Sequence, residues 1–160
     1  MRKQIMTILV VGLLLLTGCG GEQSIPSASP LPTQKSTMET LTIYSVDSDS
    51  MSLIPVVIKK QKKVYTAEYI TYLVTQNLED EDIKIDHVKQ QKDTVIVSFL
   101  SDAKPVKGCS KKMETLILNC FASSLLDNVK GCEKIVYRCG DKAYKSENRT
   151  FRRNQIYASV

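Results

Sequence analysis

Apolar and polar positions alternate in different ways along the 160-residue chain. Ile5–Leu16 is a predominantly apolar run of 12 residues. Residues 20–38, "GGEQSIPSASPLPTQKSTM", have no apolar period at all. Patterned sequence begins near Leu41. "LTIYSV" (41–46) is rich in β-branched and aromatic residues and predicts a strand, "DSDSMS" predicts a turn, and "IPVVIKK" (54–60) predicts a second strand. Pro55 falls near the start of that strand, where a missing N–H does least harm. Ile70, Leu73, Val74 and Leu78 then recur at helical spacing, predicting a helix over 67–78 with Thr66 as N-cap and Tyr65 and Ile70 as a staple.

The order then repeats. "IKIDHV" (83–88) and "TVIVSFL" (94–100) alternate, and "QQKD" between them predicts a hairpin. Met113, Leu116, Ile117, Cys120 and Phe121 form the stripe of a second helix from about Ser110 to Asp127, with Gly131 at its exit. "EKIVYRC" (133–139) predicts a strand that turns at Gly140-Asp141 into "KAYK". Residues 147–160 are polar and poorly patterned, so they read as a C-terminal tail or as one more edge strand. The ββα-ββα-ββ order implies an α+β fold, an open-faced sandwich with two helices packed on one face of a mixed sheet.

The amino end bears on location. Arg2 and Lys3 precede the apolar run, which has the length of a signal-peptide core; a membrane span needs roughly 20 residues. Leu16-Thr17-Gly18-Cys19 resembles the bacterial lipobox: an aliphatic residue, two small ones, then a cysteine whose thiol takes a diacylglyceryl group before the signal is cut. The expected organisation is a lipoprotein signal peptide over 1–18, lipid (palmitate-type acylation) on Cys19, a tether over 19–38, a folded domain over 39–146 and the tail over 147–160. Pro26, Pro30 and Pro32 stiffen the tether, which could reach about 50–60 Å at ~3.1 Å per residue. The expected location is the outer face of the cell membrane.

Charge excludes little but ranks partners. The whole chain carries +5, and removing Arg2 and Lys3 leaves 20 basic against 17 acidic residues, or +3. That is too mild for a dedicated nucleic-acid binder. Anionic wall polymer, lipid head groups and other envelope proteins are the expected neighbours. Lys59, Lys60, Lys62 and Lys63 crowd "KKQKK", and Lys104, Lys107, Lys111 and Lys112 form a second group. Either group could meet an anionic surface at about 1 kcal/mol per cation, or simply discourage strand pairing at an edge.

The motifs offer little chemistry. His87 is the only histidine, and neither G-x-S-x-G nor H-E-x-x-H occurs, so the expected role of His87 is structural. Asp47, Asp49 and Ser50 begin like a calcium loop but lack its later glycine and glutamate, so a polar turn is expected. "EDED" (79–82) reads as a solvated helix exit. No zinc spacing occurs among Cys109, Cys120, Cys132 and Cys139, and no cofactor is expected. Cys109 and Cys120 stand about 16 Å apart along a helix, and Cys132 and Cys139 about 23 Å apart along a strand, too far to bridge in either case. The returning strand brings Cys139 back toward Cys109, so a Cys109–Cys139 disulfide and four free thiols stand as equal alternatives, with Cys120 a core thiol.

Three stretches resemble the GerMN domain of bacterial envelope and sporulation or germination lipoproteins: "LTIYSVDSDSMSLIPVVIKK", "DTVIVSFLSD" and "METLILNCFASSLLDNVKGCEKIVYRCGDKAY". They span about Leu41 to Lys145; the family's Gly-Pro after the first helix is here "TQNLEDED", and its Asp-Gly-Lys turn is Gly140-Asp141-Lys142. The resemblance implies a non-enzymatic scaffold, assembly or wall-contact module, with self-association open. The competing readings are a cell-wall-active enzyme and a small ligand-binding lipoprotein.

Overall fold

The computed structural model describes residues 38–61, 64–78 and 80–160. The expected signal peptide, lipidation site Cys19 and residues 19–37 of the expected tether lie outside the described residues, while Met38 opens the first strand. The fold is α+β. In chain order its elements are β1 (Met38–Asp47), β2 (Ser52–Gln61), α1 (Ala67–Gln76), β3 (Ile85–Gln91), β4 (Thr94–Phe99), α2 (Lys111–Asn128), β5 (Lys134–Cys139), β6 (Lys142–Ala143) and β7 (Ile156–Ser159).

Local chemistry sets the boundaries. Thr66 Oγ1 accepts from Tyr69 N at 3.3 Å and starts α1; Ser110 Oγ accepts from Met113 N at 3.2 Å and starts α2. Tyr65 stacks on Tyr69 at 5.7 Å beside that first cap. The β3–β4 turn is tighter than "QQKD" implies: Gln91 pairs with Thr94, leaving Lys92 and Asp93 as the loop, with Lys92 in the left-handed region at φ 55°.

Five strands form a mixed sheet in which β3, β4, β5 and β6 follow one another. Strands β4 and β5 run parallel, and β7 shares the far edge of β5 with β6. Residues 147–160 therefore belong to the folded body: the edge-strand alternative holds for 156–159. The anchors are aromatic, with Phe151 stacked on Tyr144 at 5.0 Å and Tyr157 against Tyr137 at 4.8 Å. Rings so widely spaced in a polar stretch produce no strand-like alternation.

Strands β1 and β2 make a separate two-stranded sheet, where the sequence order suggests one mixed sheet. The reason lies in α2. Ser124 Oγ accepts from Tyr44 N at 2.9 Å, and Asn128 Nδ2 donates to Thr42 O at 2.7 Å. Side chains of the helix thus fill backbone positions on β1 that another strand would fill. Tyr44 OH adds a bond to Asp127 at 2.9 Å.

One core unites the pieces. Leu41 and Ile43 of β1, Ile70 and Val74 of α1, Ile117, Leu118, Phe121 and Leu125 of α2, and Val95, Val97, Phe99, Ile135 and Tyr137 of the sheet are all buried in it. Both helices lie on this face. Alternation along β4 and β5 sends Ile96, Ser98, Val136 and Arg138 to the other. The α2 stripe is broader than its expected phase, since Leu118, Ala122 and Leu125 are buried and Leu116 is only half-buried.

Replacing Ser124 or Asn128 by Ala leaves a β1 backbone group without its partner and should cost about 1–2 kcal/mol each. Urea denaturation with both midpoints unchanged would contradict this role for α2.

Candidate functional site

Among the described residues, the sequence-predicted candidates do not form one cluster. Lys59 is exposed near the end of β2, while Lys62, Lys63 and the side chain of Lys60 lie outside the described residues. Lys104 is engaged, with Nζ 2.9 Å from Glu81 Oε2. The Asp47 turn is a local hydrogen-bonded loop: Oδ1 accepts from Asp49 N at 3.0 Å and Oδ2 from Ser50 Oγ at 2.7 Å. The bonds from Ser50 and Asp49 hold the Asp47 carboxyl below its ordinary range. Among the described residues no group of His, Cys, Asp and Glu could hold a metal ion.

His87 Nδ1 donates to Asp86 Oδ2 across 2.7 Å. The residue lies by a bulge in β3 and lines a pocket of about 310 Å³ with Glu68, Thr71, Tyr72, Thr75 and Val88. Thr71 is 2% exposed and its hydroxyl has no hydrogen-bond partner. The pocket's α1 residues follow helical spacing, so the pocket is the seam between that helix and the edge strand.

A second polar cluster is buried. Glu114, fully enclosed in the first turn of α2, accepts from Tyr144 OH at 2.6 Å through Oε1, while Oε2 has no partner. Burial, then the Glu114 bond, raises the Tyr144 hydroxyl pKa. Asn148 Nδ2 donates to Cys109 O at 2.8 Å, Arg149 donates to Thr115 Oγ1, and Tyr157 OH donates to Asn119 Oδ1 at 2.7 Å. These bonds fasten the C-terminal segment to α2 and to the loop just before it. The sequence hides Glu114, because an acid in a first helical turn normally faces water.

Among the described residues Cys109, Cys120, Cys132 and Cys139 are free thiols. Cys109 Sγ donates to Pro105 O at 3.2 Å within the loop before α2, and Cys139 Sγ, at the end of β5, donates to Lys145 O at 3.8 Å just past β6. Both nevertheless feel the Glu114 charge, as the returning strand implies. Cys120 is fully buried in the core. Burial pushes Cys109 up to about 11 and Cys120 up to about 12.

The outer face of the sheet is different in kind. Val136 stands between Ile96 and Ile156 in the register, with Lys89 beyond Ile96, so one row crosses four strands. Lys134 and Arg138 lie on β5 either side of that row. A groove of about 660 Å³ runs there, with Lys92, Lys134, Arg138, Arg153 and Asn154 on its walls. Sequence reasoning missed this site. The available signal was Lys134, Val136 and Arg138 at period two, plus the adjacent Arg152-Arg153.

No family model matches the chain, and neither curated proteins nor solved structures include a match. The fold and surfaces define an α+β domain with one helix-covered sheet face and one open, basic face.

The buried groups should leave a mark on stability. Tyr144→Phe removes the one bond to Glu114 and should cost about 1–3 kcal/mol in urea denaturation. Stability should also fall as pH climbs from about 9 toward 11–12. The unfolded thiols lose their protons first, so above the ordinary thiol range the unfolded state binds fewer protons than the folded one. Denaturation midpoints that hold steady from pH 9 to 11 would refute this.

Proposed function

We propose that this protein is a lipid-anchored contact module on the extracytoplasmic face of the cell membrane. It acts as a scaffold or wall-contact domain and performs no reaction of its own. The observation that carries the contact role is the uneven dressing of the sheet: helices cover one face, and cations line the other. The motif at Leu16–Cys19 supports the anchor, and the proline-bearing segment after it supports reach from the membrane. The likeness to GerMN domains points the same way, toward envelope assemblies such as those of sporulation or germination. No helix among the described residues is long and apolar enough to cross a membrane. Attachment through Cys19 needs none.

The groups that could do chemistry support this reading through their surroundings. His87 is tied to Asp86, and Glu114 is tied to Tyr144 inside the core. The Cys109 thiol is held well above the range in which it would be a nucleophile at neutral pH.

Cys19→Ala should block maturation and release the protein from the membrane fraction, seen as a mass retaining the signal peptide and loss of detergent-phase partitioning. A variant that matures and stays in the membrane would end the anchoring claim. Clearing of cell-wall material by the purified protein in a zymogram would favour the enzyme reading instead.

A further inference from the structure

The groove on the open sheet face has the composition of an anion grip. The only acid on its walls is Asp93, already engaged: Lys134 Nζ donates to its Oδ2 at 2.6 Å and Thr94 Oγ1 to its Oδ1 at 2.9 Å. Those bonds hold the Asp93 carboxyl below its ordinary range, and Lys134, held as its ammonium, is paired in return. Lys89, Lys92, Arg138, Arg152 and Arg153 are in no ion pair among the described residues. Arg152 and Arg153 extend the groove along the loop before β7, where a second hollow of about 700 Å³ opens against Asn154 and Gln155.

Arg138 is prepared for a ligand. Its Nε donates to Arg153 O at 3.0 Å and Nη2 to Asn154 Oδ1 at 2.7 Å. Both acceptors are neutral, so its charge is uncompensated while its plane is fixed. A guanidinium fixed in this way presents its remaining N–H groups in a geometry that matches phosphate oxygens.

The apolar content of the face argues against a protein partner. Of the apolar side chains lining the groove, Ile96 is 4% and Val136 3% exposed, both already covered, which leaves Ile156 at 49% as the one showing. Protein interfaces draw most of their energy from buried apolar and aromatic anchors, and this face has almost none to offer. A bilayer surface is flat, whereas these cations line a concavity. A narrow charged chain fits such a groove better than either.

We propose that the open face of the sheet binds a linear phosphodiester polyanion, gripped by Arg138, Arg153, Arg152 and Lys92. This deepens the contact reading above by naming the partner's chemistry and rests on it. Binding by the purified protein, however, is read independently of membrane anchoring.

The test uses the full chain in neutral detergent with fluorescently labelled poly(glycerol phosphate), followed by anisotropy at 50 and 200 mM salt. Arg138→Gln/Arg153→Gln should weaken binding at least tenfold and flatten the salt dependence by about 1.4 in log–log slope, at ~0.7 for each cation withdrawn from a single-stranded polyanion. Lys92→Gln/Arg152→Gln should weaken it severalfold, and neither of these side chains makes a fold-holding bond, so misfolding cannot account for the loss. Lys59→Gln/Lys111→Gln/Lys112→Gln removes more charge elsewhere and should leave the affinity within twofold. The proposal fails if the wild-type chain does not bind at 50 mM salt, or if the distant triple variant weakens binding as much as the groove variants. It fails equally if polyglutamate or phosphatidylglycerol vesicles compete as well as the polymer, since the first would indicate an acidic protein partner and the second a membrane surface.

Discussion

A strand edge cannot leave its backbone donors and acceptors buried without partners, and the arrangement of this domain follows from how β1 meets that constraint. One edge of β1 pairs along its length with β2. At Thr42 and Tyr44 the partners are Asn128 and Ser124 of α2, 86 and 80 residues away in sequence. The same helix buries Ile117, Leu118, Phe121 and Leu125 in the common core. It therefore joins two sheets that share no strand–strand bond. Removing its polar contacts would loosen the hairpin, while removing its apolar face would open the core.

The carboxyl end is secured in a different way, by aromatic packing around a buried carboxylate. Phe99 meets Phe121, Tyr137 and Tyr144 with ring centroids 5.6–6.0 Å apart, and Phe151 and Tyr157 extend the set outward. Glu114 sits at the margin of these rings with one oxygen bonded to Tyr144 and the other without a partner. A half-satisfied carboxyl in an apolar setting is destabilising, and the unpartnered Arg149 Nε adds to it. The C-terminal segment offsets part of this by burying Phe151 and Tyr157 against the sheet. Its attachment thus depends on both the polar and the aromatic contacts.

These features divide into what the sequence exposes and what it conceals. Period-two and period-3.6 patterns lie in single segments, so β1, β2, α1, β3, β4, α2 and β5 are legible, as are the cap Thr66 and the start of α2 near Ser110. The split into two sheets is not legible, because it depends on Ser124 and Asn128 reaching back to β1, and small polar residues in a helix carry no mark of their distant partner. Strand β7 is legible only as one of two alternatives, edge strand or tail, for a related reason: its neighbour β5 is near in space, but its own four residues are too few to show alternation. The candidate site shows the same limit. A run such as "KKQKK" is conspicuous, yet the cations of the groove come from the β3–β4 turn, from β5 and from the loop before β7, and only the sheet assembles them.

That assembly also explains why a chain of mild net charge can hold a strongly basic surface. The sequence disperses 17 acids among its 22 cations. In the folded chain Glu114 is withdrawn into the core, Glu81 is taken up by Lys104 and Asp93 by Lys134. Asp86 is paired with His87 at the far end of the sheet. Each acid removed or neutralised leaves a neighbouring cation less opposed, and the one carboxylate that shares the groove with Arg138 and Arg153 is already held by Lys134. Field strength at a surface depends on this local imbalance within about a Debye length, roughly 8–10 Å at ordinary salt, and not on the total charge of the chain. A mildly basic sequence is therefore sufficient, provided the fold segregates its charges, and the groove on the open face, whose one lining acid is already held by Lys134, shows such segregation.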